Sequence, residues 1–137
     1  MAPQSSKRRL EPARKAMVDY SYIFGTVLFT VYGQLVVKWQ VSKAGALPTA
    51  FSAKMLFFAK LILNPWIMSG MAAAFLAMLC WLSAMSKFEL SYAYPFMSLA
   101  FVLVLILSAV LFHETVTVPK VLGLALVVGG IIVASRG

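Results

Sequence analysis

Four apolar stretches, each about as long as a lipid bilayer's hydrocarbon is thick, dictate what this chain can become. They run near 20–40, 65–86, 90–112 and 118–135. A helix needs roughly 20 apolar residues to cross a bilayer. In lipid no water satisfies the backbone, so only helices and closed barrels span it. These runs are continuously apolar and lack the alternation of barrel strands. The sequence therefore predicts an all-α membrane protein with four transmembrane helices. Of its 137 residues 62% are hydrophobic, against roughly 45–50% in soluble domains, which leaves little for a soluble domain.

The first stretch is not a plain anchor. Tyr22, Thr26, Thr30, Gln34 and Lys38 recur every fourth residue through it. Residues four apart share one helical face. Polar groups in hydrocarbon are costly and usually turn toward a bundle interior or a wet cavity. The row ends in a lysine near one membrane surface, which suits a path for something anionic. A second polar seam, Ser91, Tyr94, Pro95 and Ser98, opens the third stretch at i, i+3, i+4 and i+7. Pro95 removes a backbone bond there and tends to kink the helix.

The net charge is +8, and Lys7, Arg8, Arg9, Arg14 and Lys15 crowd the first fifteen residues. In a membrane protein such an arm reads as a cytoplasmic tail near anionic lipid rather than as a nucleic-acid site. Residues 1–18 are polar and Pro-containing, and are expected to be disordered or surface-bound. Domain 19–137 carries the four spans. With the N-terminus inside, the inner side holds the five arm residues, Lys87 and Arg136. The outer side holds Lys38, Lys43, Lys54, Lys60 and Lys120. Seven against five is a weak bias, so reversed or dual insertion stays open. The first run is too long, and has no clear small-residue cleavage site, for a signal peptide.

Between the first two spans, Gly45 and Pro48 mark a turn. Residues 51–63 then read as a short helix with Phe51, Met55, Phe58 and Ile62 on one face. An interfacial helix lying on the outer leaflet is expected, although a lengthened second span with snorkelling lysines has the same pattern. Asn64-Pro65 is a helix start that favours the former. In the second span Ser69, Ala73 and Ala77 form a small-residue row that permits close helix approach. In the fourth, Gly123, Gly129 and Gly130 make a candidate subunit contact. The single cysteine, Cys80, lies inside the second span and reads as an apolar filler.

The first span's Gly33-Gln34-Leu35-Val36-Val37-Lys38, then Leu90-Ser91-Tyr92-Ala93-Tyr94-Pro95 with Ser98-Leu99, then Phe112-His113-Glu114, Gly123 and Gly129-Gly130-Ile131-Ile132-Val133 follow in order. This pattern resembles the drug/metabolite transporter superfamily with its EamA-like domain, which includes the small multidrug resistance proteins. Within it the pattern is most similar to the small subunits of the undecaprenyl phosphate-aminoarabinose flippase. The resemblance covers roughly 22–135. It implies a lipid-linked sugar flippase subunit in the bacterial inner membrane, moving a polyprenyl-phosphate monosaccharide and working as a homodimer or as a heterodimer with a paralogous subunit. One departure decides between branches. The coupling carboxylate of the drug exporters stands three residues before the first-span glycine, and that position is Thr30 here. No Asp or Glu lies mid-span, whereas proton antiport of cationic drugs needs a titratable membrane acid. A small-solute exporter and a non-transporting accessory subunit are the alternative readings.

The candidate substrate-binding residues follow from the two seams and the resemblance. Lys38 either attracts a phosphate at the outer end or snorkels. Glu114 is placed to pair with it, as a structural tie or as a gate. Gln34, Thr30 and Thr26 either hydrogen-bond sugar hydroxyls or join helices, and Ser98 and Tyr94 are alike, with the Tyr94 ring able to stack on a sugar. Tyr92 and Glu89 stand at the expected inner opening. His113 reads as an interfacial histidine. No nucleotide loop, nucleophile–base set or metal-ligand spacing appears, so neither an enzyme, a cofactor nor a metal is expected.

Overall fold

The computed structural model describes residues 3–137, with side chains from Leu10 onward. The described residues form helices and connections with no strand. They are α1 (Pro3–Ala44), α2 (Phe51–Ile62), α3 (Pro65–Met85), α4 (Leu90–Phe112) and α5 (Val118–Arg136). Four of these, α1, α3, α4 and α5, are long and apolar enough to cross a membrane.

The ends of the helices have local causes. At Gly45, φ is +84°, the left-handed turn that closes α1 and that glycine adopts without a Cβ penalty. The Asn64 side chain accepts the Trp66 N–H at 2.9 Å, and Pro65 occupies the first turn of α3. The α4 helix runs through Pro95 and stops at His113, whose φ of 53° is left-handed. Pro119 in the first turn starts α5.

The N-terminal segment, expected to be disordered or surface-bound, is helical and continues α1, which begins at Pro3. Apart from Pro12, which lies inside the helix, the residues of 8–17 are good helix formers, and propagation from an existing helix avoids the cost of nucleation. The side chains of 10–18 are all exposed. Those of Lys7, Arg8 and Arg9 lie outside the described residues.

α1 is the central element. It packs against α3 along its length and against α4, while α5 meets α4 alone. At Gly33 the approach is backbone to backbone: a Cβ there would stand 3.1 Å from the Gly70 carbonyl oxygen. Small residues along α3 make this possible, and Gly70, Ala73, Ala77 and Ala84 are buried. One cluster joins Ile23, Ala84 and Ala93. A second joins Val27, Val31 and Ala100. No residue of α5 is buried. α2 presents Phe51, Met55, Phe58 and Ile62 outward.

Candidate functional site

Because α1 touches both α3 and α4 while α3 and α4 barely meet, a trough is left between them over one face of α1. Thr26, Thr30 and Gln34 supply its floor. Ala74, Ala77, Met78 and Trp81 of α3 form one wall, and Tyr94, Met97, Ser98 and Phe101 of α4 the other. This section holds about 540 Å³ and is open on one side. A second section of about 660 Å³ continues along Thr30, Gly33, Gln34, Val37 and Lys38, against Gly70, Met71 and Ala74. Thr30, Gln34, Ala74 and Ala77 line both, so the trough is continuous from Tyr94 to Lys38. Each section falls in the usual range of ligand pockets, about 300–1,000 Å³.

The polar groups differ in what they have left to offer. Thr26 is buried, and its hydroxyl donates to the Tyr22 carbonyl at 2.8 Å. The Ser98 hydroxyl, also buried, donates to the Pro95 carbonyl. Both keep only acceptor capacity for the trough. Thr30, Gln34 and Tyr94 make no side-chain hydrogen bond among the described residues, so their donors and acceptors are uncommitted. Tyr94 stands edge-on to Trp81, centroids 5.9 Å apart, and the two rings form the trough's far end.

At the near end, the Lys38 ammonium lies 3.1 Å from Glu114 Oε1. The left-handed turn at His113 brings Glu114 back over the end of α1. The Lys38 ammonium, and more weakly Lys120, hold the Glu114 carboxyl below its usual range. Both partners are substantially exposed, so an anion that reaches Lys38 competes with Glu114 rather than with a sealed contact.

Two members of the candidate set, Tyr92 and Glu89, and Tyr22 of the four-residue row lie elsewhere. The Tyr92 hydroxyl is 2.7 Å from that of Tyr20, and its ring stacks on Phe88. Glu89 is exposed in the α3–α4 connection, where its carbonyl accepts from Tyr92 and Ala93 N–H. Tyr22, first in the four-residue row, packs against the Ile23–Ala84–Ala93 cluster. Neither Tyr92 nor Glu89 lines the trough. Conversely, the α3 wall was not singled out as a binding surface. Its signal is Ala74, Ala77, Met78 and Trp81 at i, i+3, i+4 and i+7, one helical face ending in an aromatic ring with a polar N–H.

The family model of the EamA-like transporter family matches residues 64–136. The chain is 33% identical over 128 residues to the probable 4-amino-4-deoxy-L-arabinose-phosphoundecaprenol flippase subunit ArnF of Aeromonas hydrophila. That match covers 91% of this chain and 85% of the relative. It is 35% identical to the ArnF of Photorhabdus laumondii over 122 residues, covering 84% and 96%. It is also 37% identical over 70 residues to the probable flippase subunit ArnE of Aeromonas hydrophila, covering 50% and 61%. No solved structure matches the chain.

Proposed function

Since this chain belongs to the EamA-like transporter family, we propose that it is one subunit of a flippase for a polyprenyl-phosphate monosaccharide in the bacterial inner membrane. An aminoarabinose-type sugar on phosphoundecaprenol is the substrate named for its relatives. The observation that carries the reading is the open trough with uncommitted Thr30, Gln34 and Tyr94 along it and Lys38 at its end. The sugar-phosphate head travels in the trough while the polyprenyl tail stays in the bilayer. Burying a bare phosphate in hydrocarbon is prohibitive. Hydroxyl and amide groups replace its water along the way, and Lys38 draws it to the outer end. The N-terminus is cytoplasmic in this scheme.

Among the described residues no carboxylate lines the trough, which speaks against the drug-exporter reading, where a membrane acid binds the cation. The second half of the pathway comes from another subunit. α5 has no buried residue, and a Cβ at Gly123, Gly129 or Gly130 would meet nothing within 4 Å. That helix is the face we assign to a paralogous partner, since relatives of both the ArnE and ArnF kinds are similar to this chain. The test is reconstitution in proteoliposomes with and without the paralogue, following a labelled polyprenyl-phosphate sugar. Movement that requires this chain supports the proposal. Transport untouched by loss of Thr30, Gln34 and Lys38 together would reduce it to an accessory subunit.

A further inference from the structure

A second pocket lies at the Lys38 end of the bundle, apart from the trough. Gln40 and Lys43 from α1, Phe57, Lys60 and Leu61 from α2, and Asn64 at the start of α3 enclose about 330 Å³. We propose that it binds the phosphate headgroup of an anionic membrane lipid.

The hydrogen-bond pattern makes it a donor site. Asn64 accepts the Trp66 N–H through Oδ1, which assigns its Nδ2 as the donor toward Gln40. Gln40 must then accept through Oε1, at 3.3 Å. Its Nε2 is left with two N–H groups and no partner among the described residues. Yet Gln40 is only 6% exposed and lines the pocket. No side-chain polar atom among the described residues is both buried and unpartnered, so this amide is reachable from outside, where an acceptor can meet it.

Charge points the same way. Neither Lys43 nor Lys60 has a carboxylate within 4.0 Å among the described residues, and Glu114 is taken by Lys38. Lys43 instead rests on the Trp39 ring, 3.8 Å from its centroid, and Trp39 meets Trp66 edge-on at 5.2 Å. Such a pair of tryptophans suits the headgroup level of a membrane. α2 sets the same level. Its Phe51, Met55, Phe58 and Ile62 face outward, so acyl chains are their natural neighbours, while Phe57, Lys60 and Leu61 close the pocket behind them. Two ammonium groups and an amide thus meet an anionic, acceptor-rich phosphate at the depth where lipid phosphates lie. The inference does not depend on transport through the trough, because Lys43 and Lys60 do not line it.

The experiment titrates the purified full-length chain in detergent with phosphatidylglycerol, undecaprenyl phosphate, phosphatidylcholine or inorganic phosphate. Retained molecules are counted by native mass spectrometry, and tryptophan emission is followed. One retained anionic lipid per chain is expected, with phosphatidylcholine and inorganic phosphate at least tenfold weaker. The Lys43→Gln, Lys60→Gln double variant should weaken retention on the order of tenfold. Lys54→Gln, on α2 but outside the pocket, should change it less than twofold, and Lys43→Arg with Lys60→Arg should preserve it, which guards against a folding artefact. Retention of phosphatidylglycerol makes bulk phospholipid the occupant. Retention of undecaprenyl phosphate alone makes it the lipid class of the transported substrate. The proposal is overturned if Lys54→Gln weakens binding as much as the double variant, if phosphatidylcholine binds equally, or if nothing is retained.

Discussion

Lys38 Nζ and Glu114 Oε1 lie 3.1 Å apart, tying the end of α1 to the turn that follows α4. The tie sits where the trough ends, so the same ammonium serves the fold and the proposed phosphate path. Removing Glu114 should therefore help an anion and removing Lys38 should hinder it. Glu114→Gln is expected to lower the apparent KM for the lipid a few-fold, and Lys38→Gln to cut transport about tenfold. With Lys38 gone, Glu114 has nothing to guard, so the double variant should match Lys38→Gln alone. Independent, additive effects in this double-mutant cycle would show that the pair is not a gate.

The pair also sets a pH dependence. The carboxyl of Glu114 is held below its ordinary value of 4.5, first by its hydrogen bond to Lys38. A group with a depressed native pKa contributes its stability in full above its unfolded pKa and loses it as pH falls through the native one. The thermal midpoint of the protein minus that of Glu114→Gln should thus be flat from neutral pH down to about 5 and should shrink in more acidic buffer. A difference that grew on acidification would contradict the assignment of Lys38 as its partner.

Gly33 and Gly70 face each other but are not equivalent. A methyl group on Gly33 would stand 3.1 Å from the Gly70 carbonyl oxygen, which is backbone and yields little. On Gly70 the nearest atom would be the Gly33 oxygen at 3.5 Å, an ordinary contact. Gly33→Ala should destabilise the bundle by about 1–3 kcal/mol, and Gly70→Ala by less than about 0.5 kcal/mol. Thermal unfolding in detergent, with both variants in one series, measures the asymmetry.

The four-helix, all-α architecture was legible because bilayer thickness and backbone satisfaction leave few solutions to a chain this apolar. Asn64-Pro65 announced the start of α3 for the same reason it works there: a side-chain acceptor beside a residue with no N–H to lose. The helical N-terminal segment was hidden because composition reports solubility, while helix extension depends on a neighbouring helix already formed. The trough was half legible. Thr30, Gln34 and Lys38 stood out by being polar, but the α3 wall of Ala74 and Ala77 looks like packing, since small residues also make space. Tyr92 was placed with Glu89 at the expected inner opening, and residues two apart, such as Tyr92 and Tyr94, do not share a helix face. Tyr92 accordingly reaches Tyr20 while Tyr94 reaches Trp81.

His113 holds the left-handed turn on which the placement of Glu114 depends. A β-branched side chain there meets the steric penalty of that region, roughly 1–2 kcal/mol, which glycine avoids. His113→Val should lower the thermal midpoint and reproduce the transport phenotype of Glu114→Gln, whereas His113→Gly and His113→Asn should keep wild-type behaviour. If His113→Asn failed while His113→Gly worked, the imidazole would owe its place to something other than backbone geometry.

Thr30 and Gln34 separate transport from stability. Their side chains make no hydrogen bond among the described residues, and Gln34 is exposed to the trough. Thr30→Val and Gln34→Leu remove polar groups that join nothing among the described residues, so stability should move by less than about 0.5 kcal/mol. If these groups replace water around the moving head group, each loss should slow translocation by roughly tenfold, taking about 1–2 kcal/mol as the worth of such a hydrogen bond. Thr26→Val is the internal comparison, because its hydroxyl already donates to the Tyr22 carbonyl and only its acceptor side faces the trough. It should slow transport less than Thr30→Val. Variants of Thr30 and Gln34 that unfold readily yet transport normally would mean that both side chains bind a neighbouring subunit rather than the passing lipid.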